Sequence, residues 1–329
     1  MYELIGIITI AFLLDLFLGD PRYRFHPIRV IGKGIFFLEK FLRRLGLEGK
    51  AGGIILVVVI EAAFLSLFLF MSITLHTVNF IIGLGFDLFI CYSCIALKDL
   101  IHHINPVICA LETGSIPEAR KKIALIVGRD VNYLDDQGIS RAAIETLAEN
   151  FVDGFLSPVL WYLTGGILAH ILGLYPLTFA LTLMLAFKIA STLDSMVGYR
   201  SRIYAQFGWA GAKLDDLMNL FPARLSLVFL FIGSVIGRLH PLEGLKVAVR
   251  DRLKHDSPNA AHPESFVAGA LNIRLGGPTR YPDGLKNKPW LGNGSLEPGP
   301  EHIRRAEFLI RYSSWFTIFS ILCILLILS

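Results

Sequence analysis

Residues Gly53–Leu97 read GIILVVVIEAAFLSLFLFMSITLHTVNFIIGLGFDLFICYSCIAL. Gly53–Ile73 and Leu75–Leu97 are each long enough to cross a hydrocarbon core of about 30 Å as a helix. A very short turn between them makes a membrane hairpin. Outward from this pair the pattern repeats. Leu4–Leu18, Phe155–Leu174, Pro176–Ala190 and Tyr312–Leu328 are apolar, and polar blocks cover 19–52, 98–153, 191–224 and 238–311. Hydrophobic residues make up 54% of the 329 and charged residues 18%, below the quarter usual in soluble domains. The expected fold is an all-α polytopic membrane protein with about six transmembrane helices, large cytoplasmic polar loops and helices, and a single integral-membrane domain over 1–329. Leu225–Gly237 would reach only about 20 Å as a helix, so it is expected to be a short buried or re-entrant element.

All 31 Lys and Arg fall in the four polar blocks, counting Lys188 with the third, and neither hairpin turn holds any. The positive-inside rule then puts all four blocks in the cytoplasm and both termini outside, with any active site facing the cytoplasm of a cell-membrane protein. The N-terminus lacks a basic segment and Asp15 interrupts its first apolar run, so it reads as a retained helix. A net charge of +4 without basic, aromatic-interleaved runs gives no reason to expect nucleic acid. Cys91 and Cys94 have CxxC spacing inside an apolar run and read as buried thiols. The chain has no GxxxxGK[ST], GxGxxG or HExxH motif. Gly276–Pro300, rich in Gly and Pro, reads as a long loop.

The polar block before Pro158 contains GRDVNYLDDQGISRAAIETLAENFVDGFLSP, Gly128–Pro158. Arg141, Glu145, Glu149 and Asp153 recur every four residues, which on one helix makes a single drifting face. Three carboxylates so spaced repel one another by a few tenths of a kcal/mol per pair; a bound cation would offset this. The alternative is an exposed acidic face. Gly128-Arg129-Asp130 is either a turn offering a phosphate-binding Arg or a turn closed by its own Arg–Asp pair. Asp194 ends an apolar segment, where a carboxylate is costly. Asp215-Asp216, beside Asn219, form a second acidic cluster. Together these fit a magnesium–phosphate site, because Mg²⁺ takes one or two carboxylates and completes its shell with water and phosphate. Asp99, His102 and His103 read as juxtamembrane solvation. His255-Asp256-Ser257-Pro258-Asn259 leads through His262-Pro263-Glu264-Ser265 to a helix N-terminus, which either is simply capped or faces an anion.

In order and spacing, GDP at Gly19–Pro21, HPIRVIG at His26–Gly32, KDL at Lys98–Leu100, VGRD at Val127–Asp130, AIETLAENFVDGFLSP, TLDSMVGY, LDDLMNLFPARL, SPNAAHPES and AGALNIRLGG resemble one family. It is the adenosylcobinamide-phosphate synthases of cobalamin (vitamin B12) biosynthesis, CobD/CbiB. The likeness runs from Asp15 to about Gly284, with departures at Ser157, Ser191 and Ala261. It implies an ATP-dependent, Mg²⁺-assisted ligase that joins adenosylcobyric acid to (R)-1-aminopropan-2-ol O-phosphate, with an acyl phosphate as the expected intermediate. It further implies Glu145, Glu149, Asp153, Asp215 and Asp216 as metal ligands, and Asp194, Glu149 and His262 as catalytic groups. Implied substrate and phosphate contacts are His26, Arg29, Lys98, Arg129, Asp130, Arg141, Asn150, Ser195, Tyr199, Arg224, Asn259 and Glu264. Expected partners are the corrinoid, the amino-alcohol phosphate, the lipid bilayer and other late-pathway enzymes. A transporter or a scaffold for corrinoid intermediates is the alternative, but the apolar segments are almost free of charge and the motifs lie in the polar blocks.

Overall fold

The computed structural model describes residues 1–19, 23–198, 203–281 and 284–329. In chain order its elements are α1 (Tyr2–Leu18), α2 (Pro27–Arg44), α3 (Lys50–Val78), α4 (Phe80–Ser93), α5 (Leu97–Glu112), α6 (Ile116–Ile123) and α7 (Asp136–Phe151). A π-helical turn, Val152–Leu156, follows, then α8 (Ser157–Leu172), α9 (Pro176–Val197), α10 (Trp209–Met218), α11 (Leu220–Ile236), α12 (Pro241–Asp251) and α13 (Ala261–Leu271). The strands β1 (Leu275–Tyr281) and β2 (Gly284–Leu291) precede α14 (Pro300–Ile327).

The fold is that of a helical, multi-pass membrane protein. Among the described residues five stretches are long and apolar enough to cross a membrane: Lys50–Val78, Phe80–Glu112, Asp136–Leu172, Pro176–Val197 and Pro300–Ile327. There are six if α10 and α11, bent by 42°, form one span. The bend lies at Met218-Asn219, so the apolar run Leu225–Gly237 is the greater part of a 17-residue helix, in a broken span or a re-entrant pair.

The chain divides into two compact units, 1–96 with 157–218 and 320–329, and 97–156 with 219–319. In the first, α8 lies against α9 at a small-residue contact, where a Cβ on Gly165 would come within 2.7 Å of the Ala180 Cα. Such close approach is how membrane helices gain packing without a hydrophobic driving force. The buried Tyr162 hydroxyl donates to the Leu4 carbonyl at 2.9 Å, tying α8 to α1. In the second unit α13 is buried on every residue, its polar His262, Glu264 and Ser265 included. Gly244 of α12 lies directly over Phe266 of α13.

Three expectations need correction. The membrane hairpin turns at Asn79, five residues beyond Thr74, because the Asn79 side chain accepts from the Ile81 and Ile82 N–H groups and caps α4. Gly276–Pro300 is largely an antiparallel hairpin, not a loop; Gly276 and Gly277 take φ of +74° and +78° and make a bulge opposite Trp290. Asp153 lies in the π turn, whose wider i→i+5 spacing breaks the four-residue register shared by Arg141, Glu145 and Glu149.

Candidate active site

In the second unit α7 starts cleanly because Asp135 caps it, its carboxylate accepting from the Gly138 N–H at 2.6 Å. Apart from the half-buried Arg141, the helix is buried along Gly138–Ala148, which takes Glu145 into the interior. Glu145 is satisfied there on both oxygens. Oε2 pairs with the Arg129 guanidinium, and Oε1 accepts from the Gly276 N–H at 2.7 Å. Arg129 comes from the loop before α7, which is fastened to β1 by the Asp130 N–H donating to the Arg280 carbonyl at 2.9 Å. Of the two readings of Gly128-Arg129-Asp130, the self-paired turn does not form: Arg129 reaches Glu145, and the Asp130 side chain accepts from the Asn132 backbone and amide at 3.1 and 3.0 Å. Burial works against the Arg129 charge, but Glu145 outweighs it and the pKa rises.

Glu145, Glu264 of α13 and Gly276 line one cavity of about 280 Å³. Lys254, His255 and Asp256 close one side, and Lys286 and Lys288 of β2 another. Glu264 is buried; that burial and then the nearby carboxylates of Glu145 and Glu149 push its pKa far up. Burial opposes the charge on Lys288, but Tyr281, Glu145 and Glu264 outweigh it and its pKa also rises. The cavity thus sets three lysines, Lys254, Lys286 and Lys288, beside three carboxylates, Glu145, Asp256 and Glu264. Ammonium groups are the chemistry that suits phosphate oxygens, and carboxylate oxygens that which suits a hard divalent cation.

A second group on the same helix end is His262 with Asn259 and Arg224. The Arg224 Nη1 donates to the Leu220 carbonyl at 2.5 Å and approaches the Asn259 Oδ1 at 3.5 Å. His262 is buried, its Nδ1 has no hydrogen-bond partner among the described residues, and burial and then the Arg224 charge lower its pKa. Both causes favour the neutral imidazole.

The remaining residues named from the sequence are dispersed. Arg141 stacks on Trp290 and donates to the Leu296 carbonyl at 3.0 Å, bracing the segment after β2. Asn150 donates to the Thr146 carbonyl at 3.0 Å. Glu149 is exposed on α7, and Lys98 lies in the first turn of α5. His26, Arg29, Asp194, Ser195, Asp215 and Asp216 belong to the first unit. There His26 is the N-cap of α2, Arg29 is exposed, the Ser195 hydroxyl donates to the Thr192 carbonyl at 3.0 Å, and Asp216 pairs with Lys213 at 3.2 Å. The Asp194 carboxylate folds over Gly198, leaving no space for a Cβ there. The five proposed metal ligands are divided between the units, and no group of three or more His, Cys, Asp or Glu side chains is arranged around a metal position among the described residues. Tyr199 lies outside the described residues, as do Asp20 and Pro21 of the GDP motif.

Lys254, Lys286 and Lys288 were not singled out from the sequence. A signal existed for two of them: Lys286 and Lys288 alternate, which on a strand puts both on one face. Reading the segment as a loop hid it.

Comparison with known proteins decides the family. The family model described as CobD/Cbib protein matches residues 8–310. The chain belongs to the CobD/CbiB family. It is 42% identical over 291 residues to Cobalamin biosynthesis protein CobD of Pelobacter propionicus, covering 87% of this chain and 84% of that one. It is 37% identical to CobD of Desulfotalea psychrophila, covering 94% of each chain. It is 35% identical to Cobalamin biosynthesis protein CbiB of Salmonella typhimurium, covering 93% and 92%. No solved structure matches. Membership in CobD/CbiB places the chain in cobalamin biosynthesis.

Proposed function

We propose that the chain is an ATP-dependent, amide-forming ligase that joins adenosylcobyric acid to (R)-1-aminopropan-2-ol O-phosphate, giving adenosylcobinamide phosphate. The observation that carries this reading is the cavity in which Lys254, Lys286 and Lys288 face Glu145 and Glu264. A carboxylate and an amine do not condense readily in water, so a phosphoryl donor and a cation must share one site with the reactants. At about 280 Å³ the cavity is smaller than the roughly 300–1,000 Å³ that drug-sized ligands occupy. It suits a phosphate chain, with the corrin ring outside presenting only its propionate arm.

The donor set fits Mg²⁺. Burial and its acidic neighbours favour the protonated form of Glu264, a condition that an added cation relieves. Glu264 and Glu149 would hold the ion, with Glu145 behind them braced by Arg129. Bound Mg-ATP supplies activation of the propionate as an acyl phosphate and neutralises the developing charge. The lysines bind phosphate oxygens as point charges. The amine must lose a proton as the amide forms. His262, whose neutral form is favoured by burial, is the candidate to accept it.

Purified full-length protein supplied with adenosylcobyric acid, aminopropanol phosphate and Mg-ATP should form ADP and amide in equal amounts. Corrinoid flux into proteoliposomes without amide formation would move the assignment to a transporter, and neither activity would leave a scaffold. Corrinoid-dependent positional-isotope exchange in ATP tests the acyl phosphate.

A further inference from the structure

The outward face of α2 is both aromatic and basic, and nothing in the ligase reading uses it. Ile31, Ile35 and Leu42 point into the first unit. On the other side Phe36, Phe37 and Phe41 are 54%, 66% and 56% exposed. Beside them Lys33, Lys40 and Arg44 are exposed at spacings of seven and four, which stacks them along one line. Three exposed phenylalanines on one helix suit neither bulk water nor, with that cation line, the bilayer core. The headgroup boundary accommodates both. The chain fixes the helix near that level, because α3, a 29-residue apolar span with Val58, Val59, Leu67 and Phe70 exposed, begins at Lys50.

A groove of about 560 Å³ lies along α2, lined by Phe36, Glu39, Lys40, Arg43, Arg44 and Tyr204. Its floor is set. The Arg43 Nε donates to Glu39 at 2.9 Å, its Nη2 donates to the Ile203 carbonyl at 3.3 Å, and its guanidinium stacks on Phe207 and Tyr204 at 4.5 and 5.2 Å. Glu39 is committed to Arg43, and no carboxylate pairs with Lys40 or Arg44 among the described residues. The groove therefore offers uncompensated positive charge between aromatic walls.

We propose that α2 lies in the membrane interface and that this groove holds the phosphate headgroup of an anionic phospholipid. Lys40 and Arg44 take the phosphate oxygens, and Phe36 and Tyr204 flank the glycerol and the start of an acyl chain. A free phosphate would satisfy the cations but leave the aromatic rim without a role; a lipid uses both.

The test is native mass spectrometry of the full chain extracted from nanodiscs of mixed phosphatidylcholine and phosphatidylglycerol. Wild type should retain one phosphatidylglycerol in preference to phosphatidylcholine. Each cation near a lipid surface contributes about fivefold, so K40Q/R44Q should weaken retention by roughly 25-fold. Lys121→Gln, an exposed lysine of α6, should change nothing. If the double variant does not fold, Lys40→Gln alone should still cost about fivefold. Equal retention by wild type and variant, equal retention of both lipids, displacement by soluble glycerol phosphate at headgroup-matched concentration, or a dimer covering α2 in place of lipid would each overturn the proposal.

Discussion

Glu264 is held by opposing demands. Buried on the fully enclosed helix α13, it is pushed toward the neutral acid by burial and by Glu145 and Glu149, while Lys288 and Arg129 pull the other way. Because its folded pKa is raised, ionising it costs stability, and that stability is lost as pH climbs from the ordinary carboxylate range through the raised value. If Glu264 holds Mg²⁺ as proposed, a proton and the ion compete for the same oxygens. The Mg²⁺ concentration needed for half-maximal turnover should therefore fall as pH rises, and Glu264→Gln should flatten that dependence. Kinetics at several pH values would show it; an unchanged slope in the variant would remove Glu264 from the site. Glu149, exposed on the next turn from Glu145, should behave differently. Glu149→Gln should lower turnover by about a hundredfold or more while moving stability by no more than about 0.5 kcal/mol, read by activity and thermal unfolding together. Full activity in that variant would leave the acidic face as mere solvation. The four-residue spacing in the sequence did place Glu145 and Glu149 one turn apart, because α7 is a regular helix between them. It misplaced Asp153, since nothing in Val152-Asp153-Gly154 announces a π turn.

At the scale of elements, the β1–β2 hairpin forms a wall of the cavity, and Asp251 anchors it. The Asp251 carboxylate takes Arg250 at 2.7 and 2.5 Å, Lys254 at 2.7 Å and the Gly292 N–H, just past β2, at 2.9 Å. Burial alone would raise its pKa, but these donors outweigh it and hold the carboxyl well below the usual range. A depressed carboxylate contributes stability above its unfolded pKa, about 3.9, and loses it as pH falls toward the folded value. Asp251→Asn should cost about 2 kcal/mol near neutral pH, less than for a fully buried pair because Arg250 and Lys254 can turn to water. The gap between variant and wild-type melting temperatures should narrow below about pH 4; a gap independent of pH would show that charge is not what holds the hairpin. This hairpin was illegible in the sequence for a physical reason. Pro278 and Pro289 interrupt the strand pattern, and Gly276 supports a bulge where a Cβ would come within 2.5 Å of the Pro289 carbonyl. Gly and Pro there meet the demands of a bulged, isolated pair, yet read singly they mark a loop. The α3–α4 hairpin was plain, and only its turn was shifted, because hydropathy cannot see that Asn79 outcompetes Thr74 as a cap.

For the whole molecule, hydropathy found the class because a bilayer demands long apolar helices whatever their packing. Sidedness rests on charge. If α1 crosses, α10 and α11 form a re-entrant pair, and α3, α4, α8, α9 and α14 each cross, every Lys and Arg faces the cytoplasm and both termini face out. If the bent pair instead crosses as one span, the segment 238–299 is carried to the other side together with α12, α13 and the hairpin. That would part Glu264 and Gly276 from Arg129 and Glu145, yet Glu145 accepts from the Gly276 N–H at 2.7 Å and the Asp130 N–H donates to the Arg280 carbonyl at 2.9 Å. Of the two arrangements, only the first keeps the cavity whole and gives it the cytoplasmic ATP that the ligase reading requires. A single cysteine at Glu297, in an otherwise cysteine-free chain, separates them. An impermeant maleimide should label it in opened cells and leave it unlabelled in intact ones, while a cysteine at Tyr2 should label in both. Labelling at 297 from outside intact cells would make α10–α11 a true span, separate Glu264 and Gly276 from Glu145, and count against the ligase reading.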